Sequence, residues 1–232
     1  MNRSVPLAGV ATIRRWIADD TPLKRVLTAQ RWMVRAYFEA RYVVADPWHL
    51  ATSAYERERA RATLDALGGR RYPEAIDVGC GEGIFTSQLL GRCDRIVAVD
   101  FSSLAIRRAS RRFAGNPRVE VRHHDIRSRP LDWSFDLVVC AELLYYLSRA
   151  EFEAVGARLV GVVAPMGDLC LVHGMSVHDA TLASGGTAPP RSMSAAKIHE
   201  WFGRLRRLTV VRDVVRPRYR ITLLRRTEPP RG

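Results

Sequence analysis

The residues whose types and spacing suggest chemistry cluster after a short apolar run. Gly79, Gly81 and Gly83 alternate with Cys80 and Glu82 in the stretch GCGEG, and Asp100 closes the next apolar run, 21 residues after Gly79. Glycine permits positive φ and lets a ligand lie against the backbone. The free N–H groups of a helix that starts at such a turn add an electropositive end. An acidic residue ending the second strand can accept hydrogen bonds from both hydroxyls of a ribose. Together these features point to a nucleoside-bearing ligand. The spacing G-x-G-x-G differs from the G-x-G-x-x-G of dinucleotide sites. No G-x-x-x-x-G-K-[ST] phosphate loop occurs, which argues against ATP or GTP. Glu82, inside the turn, would repel a diphosphate. A ligand with an amino acid moiety and no phosphate fits better.

The elements that must position these residues follow from periodicity. Short β-rich runs at 75–78, 96–99, 119–122, 137–140 and 169–172 alternate with helical runs at 84–90, 104–113, 142–147, 151–163 and 195–205. Such alternation predicts parallel strands joined by right-handed crossovers. Two further runs, 208–215 and 219–224, flank Pro217 and suggest a closing hairpin, so one terminal strand should be antiparallel. An open parallel sheet binds ligands at the carboxyl ends of its strands, where GCGEG and Asp100 fall. Ahead of the first strand, a short helix is expected near 11–18. A longer one follows Pro22, carries Met33, Tyr37, Phe38 and Tyr42 at helical spacing, and should end at Asp46-Pro47. Ser53 and Glu56 form a capping-box pattern that opens a further helix, which Gly68-Gly69 can close. The expected organisation is a helical segment over 1–70 and a ligand-binding core over 71–232; that the segment packs as a lid over the first strand's carboxyl end is inferred from the fold and not from its periodicity. Stretches 184–190 and 228–232 suggest a loop and a frayed tail.

The 232 residues suffice for one domain with a full core. No run reaches the roughly 18 apolar residues that a membrane span needs, and no secretory leader pattern occurs. The expected location is cytoplasmic, with no membrane partner. Cys80, Cys93, Cys140 and Cys170 show no C-x-x-C spacing and are expected to be buried free thiols, with no metal site. The formal net charge is +13, but it is almost all arginine, spread over the whole chain, with lysine only at 24 and 197. A nucleic-acid partner is therefore not expected. The sequence carries no signal for an oligomeric state.

The stretches AIDVGCGEGIFTSQLL, IVAVD, HHDI and FDLVVCAELLYYL, in this order, resemble the motifs of class I S-adenosylmethionine (SAM)-dependent methyltransferases. Within that superfamily, DPWHLATSAYERERARATL at 46–64 and AELLYYL at 141–147 are similar to the NodS-type nodulation N-methyltransferases. The resemblance spans about 37–172. It implies a Rossmann-like α/β fold, with a mostly parallel seven-stranded sheet, an antiparallel terminal strand and N-terminal lid helices. It also implies SAM as cofactor and a small-molecule amine or sugar as methyl acceptor. Carried over residue by residue, Asp77 supports the glycine turn and the methionine ammonium. Gly79, Cys80, Gly81 and Gly83 carry the cofactor on the backbone, with Ala141 beside it. Asp100 holds the ribose, and Phe101, Asp125 and Ile126 take the adenine. Trp48, Tyr55 and Arg59 close over SAM.

Methyl transfer to an amine requires a neutral nitrogen aligned with the sulfonium, because an ammonium has no lone pair. Glu142, following the fourth strand, is the first candidate to take the proton. His173, ending the fifth strand, is the second, and His178 is the third. Tyr145 and Tyr146 shape the acceptor pocket beside Glu142. O-methylation of a hydroxyl would use the same cofactor site. Base-amino methylation needs [DNS]-P-P-[FYW] where this chain has Cys140-Ala141-Glu142-Leu143, and the cytosine-C5 type needs Pro where Val139 precedes Cys140. A non-catalytic SAM- or RNA-binding module would keep the turn and the basic surface but lack a productive acceptor pocket.

Overall fold

The computed structural model describes residues 31–175 and 193–227. The expectations at 11–18, 184–190 and 228–232, at His178, and for the first part of the helix after Pro22 lie outside the described residues.

Seven strands form one sheet: β1 (Tyr72–Val78), β2 (Cys93–Asp100), β3 (Val119–His123), β4 (Phe135–Ala141), β5 (Val163–Gly174), β6 (Leu208–Arg216) and β7 (Tyr219–Arg226). Their order is β3-β2-β1-β4-β5-β7-β6. The first five run parallel, and β7 alone runs against both its neighbours. The expected hairpin is therefore present, and it supplies the antiparallel strand. Ala75, Ile76, Val78 and 137–140 are buried on both faces, as central parallel strands require. The described helices are α1 (Arg31–Arg41), α2 (Ala54–Ala66), α3 (Ile84–Leu89), α4 (Ser103–Arg112), α5 (Arg149–Gly161) and α6 (Ala195–Gly203). One face of the sheet packs Phe152, Leu159, Ile198 and Phe202; the other packs Ala66, Leu67 and Leu89.

Strands β2 and β3 lie on one side of β1, and β4 lies on the other. The strand order thus reverses at β1 and leaves a crevice at the carboxyl ends of β1 and β4. Helix α1 is tied to this end by Glu39, which accepts hydrogen bonds from Ser102 Oγ (3.1 Å) and the Ser103 N–H (2.8 Å) at the start of α4. A carboxylate at a helix N-terminus is favoured there by the free N–H groups.

Four local expectations are corrected. Residues 142–147 do not form an α-helix: Glu142 takes φ 55°, a left-handed conformation that a helix cannot accommodate, and only a 3₁₀ turn, Leu144–Tyr146, follows. Strand β5 begins at Val163, ahead of the expected 169. Helix α1 stops at Arg41 rather than at Asp46, whose carboxylate instead accepts the Leu50 N–H (2.7 Å) and Ala51 N–H (3.0 Å) and winds the loop ahead of α2. The capping box at Ser53 is half formed. Ser53 Oγ accepts the Glu56 N–H at 3.4 Å, but the Glu56 carboxylate turns to Arg59. The complete box sits at the start of α5, between Ser148 and Glu151. Gly68 does close α2, with φ 68° and its N–H bonded to the Asp65 carbonyl.

Cys80, Cys93, Cys140 and Cys170 are free and buried, as read from the sequence, and burial pushes the Cys93 and Cys170 thiols up to about 12. Among the described residues, no helix is long and apolar enough to cross a membrane.

Candidate active site

A cavity opens at the carboxyl ends of β1, β2 and β4, and the segment before β1 covers it. Its floor is the glycine turn. Gly79, Gly81 and Gly83 have φ values of 80°, 56° and 76°, so the turn needs glycine for its backbone alone. A Cβ at Gly79 would lie 2.9 Å from Leu143 Cδ1, one at Gly81 would lie 2.7 Å from the Tyr42 hydroxyl, and one at Gly83 would lie 2.4 Å from the Phe113 ring. Side chains of the protein itself thus crowd the turn. Gly79, Cys80 and Gly81 line the cavity; Gly83 does not and serves packing against Phe113.

Glu82 corrects one sequence argument. Its carboxylate does not line the cavity. It is buried against Arg108 (2.7 Å) and accepts the Asp46 N–H (3.1 Å). Its charge is therefore neutralised and turned away from any ligand, and it cannot be what repels a diphosphate.

Asp100 faces the cavity from the end of β2. One oxygen accepts the Gly81 N–H (2.9 Å), and the other accepts the Ser102 N–H (2.8 Å). Asp77, at the cavity floor, accepts from the Thr86 hydroxyl at 2.6 Å. Burial raises both carboxyls to about 6, against the opposing effect of these hydrogen bonds. Phe101, Asp125 and Ile126 line the same side. Asp125 is clasped by Arg127, whose Nε and Nη2 each donate at 2.9 Å, while the Arg127 guanidinium lies over the Phe101 ring at 5.0 Å. Across the cavity, Phe38, Trp48, Tyr42 and Tyr146 build an aromatic wall, with Phe38–Tyr146 and Tyr42–Trp48 ring centroids at 4.9 and 5.1 Å.

At the other end, Ala141 and Glu142 border the cavity. Glu142 Oε1 accepts the Gly174 N–H (2.5 Å) and lies 3.0 Å from Arg59 Nη1, and its Oε2 accepts the Tyr145 hydroxyl (2.5 Å). Its own N–H donates to the Val172 carbonyl, fixing the left-handed backbone. Arg59 is buried and also holds Glu56 at 2.5 Å, so it bridges α2 to the end of β4. Tyr55 stands off the cavity. Its hydroxyl donates to the Arg218 carbonyl (2.9 Å), and its ring braces Arg59 and Arg218 at 5.4 and 3.8 Å. His173 is fully buried and off the cavity, edge-on to Tyr145 at 5.5 Å between ring centroids. Burial holds its imidazole well below the ordinary histidine range, which keeps it neutral and unsuited to storing a proton.

The family profile described as nodulation protein S (NodS) matches residues 32–188 of the 232. The chain belongs to the NodS family. Nodulation protein S of Bradyrhizobium diazoefficiens is 36% identical over 140 residues, which is 59% of this chain and 65% of that protein. Nodulation protein S of Sinorhizobium fredii is 34% identical over 126 residues, 53% of this chain and 58% of that protein. The chain thus spans somewhat over half the length of the curated relatives it matches. The crystal structure of N-methyltransferase NodS from Bradyrhizobium japonicum, in complex with S-adenosyl-L-homocysteine (SAH), superposes with TM-score 0.72 at 25% identity, over 84% of this chain and 98% of that one. The fold is the class I Rossmann-like methyltransferase fold, as the motifs implied.

Of the residues singled out in the sequence of this NodS-family chain, the structure gathers Trp48, Arg59, Asp77, Gly79, Cys80, Gly81, Asp100, Phe101, Asp125, Ile126, Ala141, Glu142 and Tyr145 around one cavity. Tyr55, Gly83 and His173 support it from behind. Sequence reasoning missed Phe38, Tyr42, Leu143 and Arg127 as cavity residues. The first two stood in the apolar stripe of α1, where core and cavity aromatics look alike.

Proposed function

We propose that this NodS-family protein is a SAM-dependent methyltransferase whose acceptor is a small-molecule amine, carried on a sugar. The observation that supports this best is the Glu142 carboxylate, anchored by three donors at the rim of the cavity that holds the Asp100 turn. SAM, when bound, supplies a methyl group already activated on a positively charged sulfur.

The residues present suit that cofactor. Each Asp100 oxygen is held by one backbone N–H and keeps a lone pair for a ribose hydroxyl. Phe101 and Ile126 offer an apolar slot beside Asp125 for the adenine. Asp77 and Asp100 stand beside the turn, and among the described residues the arginines lining the cavity, Arg59 and Arg127, are bound to carboxylates. Among those residues, a diphosphate would meet negative charge and no unpaired arginine.

The two oxygens of a carboxylate offer about four acceptor positions. Gly174, Arg59 and Tyr145 occupy three at Glu142. One remains, and an ammonium that docks on it is attracted by charge and can pass its proton to the carboxylate. The nitrogen is then left with its lone pair directed at the cavity, at the near-attack separation of roughly 3–3.5 Å from the methyl carbon. Arg59, Tyr145 and Gly174 keep Glu142 in one orientation during that transfer. Phe38, Trp48 and Tyr146 exclude water and present flat faces to a pyranose ring. The segment over 1–70 acts as the lid, and the described part of it already contributes Trp48 and Arg59 to the cavity.

The test offers the protein three matched sugars, bearing a free amine, an acetamide or only hydroxyls at one position, with SAM, and follows product mass. Methylation of the free amine alone is expected, because an amide nitrogen is a poor nucleophile. Methylation of the hydroxyl-only sugar with none of the amine would overturn the acceptor.

A further inference from the structure

The segment ahead of β1 brings one polar group to the cofactor end of the cavity that the proposed reaction does not use. Tyr42, just past the end of α1, lines the cavity together with Gly79, Gly81 and Asp100 and is 7% exposed. Its hydroxyl stands against Gly81, 2.7 Å from where a Cβ on that residue would lie. The same glycine gives its N–H to Asp100 at 2.9 Å. The Tyr42 hydroxyl and the Asp100 carboxylate therefore meet on one residue of the turn. Burial, with the Asp100 charge adding to it, raises the Tyr42 phenol well above its ordinary value. The phenol keeps its hydrogen and stays a donor.

An ion pair inside the turn fixes this placement. Arg108, on α4, donates from Nη1 to the Tyr42 and Val44 carbonyls at 2.7 and 3.1 Å, and from Nη2 to the Val43 carbonyl at 3.2 Å. Carbonyls just past a helix C-terminus lack partners within the helix, and a guanidinium suits them. The same Nη1 bonds Glu82 Oε1 at 2.7 Å, and that oxygen also accepts the Asp46 N–H at 3.1 Å. Glu82 follows Gly81 directly, so the pair ties residues 42–46 to the glycine turn. Trp48 packs against the Tyr42 ring, with centroids 5.1 Å apart.

A ribose that gives both hydroxyl hydrogens to Asp100 has spent its donors, and its oxygens are left with lone pairs only. An ionised carboxylate cannot fill them; a phenol beside it can. We propose that Tyr42 is a cofactor-binding residue, whose hydroxyl donates a hydrogen bond to a ribose hydroxyl oxygen of SAM beside Asp100, and that Glu82 and Arg108 are the positioning residues that seat it there. The inference rests on the placement of the ribose at Asp100 and is independent of the methyl acceptor.

The test is calorimetry with SAH and with methylthioadenosine, which keeps the adenine, ribose and thioether but lacks the amino acid. Tyr42→Phe retains the ring and should weaken both ligands by the same factor, roughly three- to tenfold, the loss of about one net hydrogen bond. With the 2′-deoxy and 3′-deoxy forms of methylthioadenosine, that loss should vanish for one of the two. Arg108→Lys keeps a cation for Glu82 but replaces the two-nitrogen fork by one nitrogen. It should weaken SAH at least as much as Tyr42→Phe does, and adding Tyr42→Phe to it should change affinity less than twofold further. Wild-type affinity in Tyr42→Phe, or a loss confined to SAH or kept by both deoxy forms, would overturn the ribose contact. Losses that multiply in the double variant would overturn the seating by Arg108. Asp100→Asn decides the premise separately: wild-type affinity for both ligands in that variant would remove the ribose from Asp100, whereas weakened binding there with no effect of Tyr42→Phe would overturn the role of Tyr42 alone.

Discussion

Replacing Glu142 by glutamine keeps the size of the side chain and removes its capacity to take a proton. In the structure the carboxylate satisfies Gly174, Arg59 and Tyr145 and retains one acceptor position. Glutamine has one acceptor oxygen and a donor NH₂ group, so at least one of these three donors loses its partner or meets another donor. Arg59 keeps Glu56, so the fold should survive at a cost of about 1–2 kcal/mol. The chemical loss is larger. Without a base, the ammonium must deliver its proton to bulk water before it enters, and turnover at neutral pH should fall by roughly 10²-fold or more. SAM binding should hold, because Glu142 lies at the far end of the cavity from Asp100. The deficit should narrow as pH rises, since the amine is then already neutral. Steady-state methylation followed by product mass from neutral to alkaline pH, with SAH calorimetry as the control, measures each part. A Glu142→Gln protein of wild-type activity at neutral pH would refute the reasoning.

Asp100 is raised to about 6 by burial, so SAH affinity should weaken as pH falls below about 6 and its second acceptor is lost; Asp100→Asn should bind SAH at least tenfold more weakly, with most of that pH dependence gone, by calorimetry. In ligand-free protein the sign for stability is the opposite. The folded state holds a proton on Asp100 that the unfolded chain has released, so this residue's contribution falls as pH rises from about 4 to about 6, by up to about 3 kcal/mol. Denaturant unfolding at the two ends of that window should show Asp100→Asn gaining on the wild type at the higher pH. Gly83→Ala combines φ 76° with a Cβ 2.4 Å from the Phe113 ring and should cost about 2–4 kcal/mol, whereas Gly68→Ala, with φ 68° and open space, should cost only about 1 kcal/mol. Equal losses in the two unfolding curves would show that Phe113 yields freely.

The centre of the sheet was legible because β1, β2, β4 and β5 are largely buried and so appear as apolar runs between helical periods. The same signal misplaced the start of β5, where Pro165 and Met166 are exposed and Met166 takes φ 60° before the run resumes. The helix expected at 142–147 failed on one residue. Leu143, Leu144 and Leu147 have helical spacing, but the backbone at Glu142 is fixed by its N–H bond to Val172, a contact across the sheet that no local pattern encodes. Glu82 misled for a related reason. Its position in the turn was right, while its neutralising partner, Arg108, lies 26 residues away on α4.

On the proposed reading, the cofactor end and the acceptor end differ in how the chain builds them. Gly79, Gly81 and Asp100 are joined within one β–α–β unit, and the bond from the Gly81 N–H to Asp100 spans 19 residues. Such a unit leaves its spacing in the sequence. The acceptor end is assembled from segments far apart. Tyr55 bonds Arg218, Glu58 accepts from Tyr219 at 3.1 Å, and Asp65 accepts from Arg212 at 2.7 Å, so the closing hairpin fixes α2 from three points. Helix α2 in turn presents Arg59, and Arg59 holds Glu142. The hairpin also carries Thr222 and Asp213, which reach His173 through His199. The polar route to Glu142 therefore starts on the β6–β7 hairpin, which lies beyond the stretch that resembled the family. A substitution in that hairpin can move Glu142 without touching the glycine turn. If Glu142 serves the acceptor as proposed, acceptor choice can diverge in this fold while the cofactor site stays fixed.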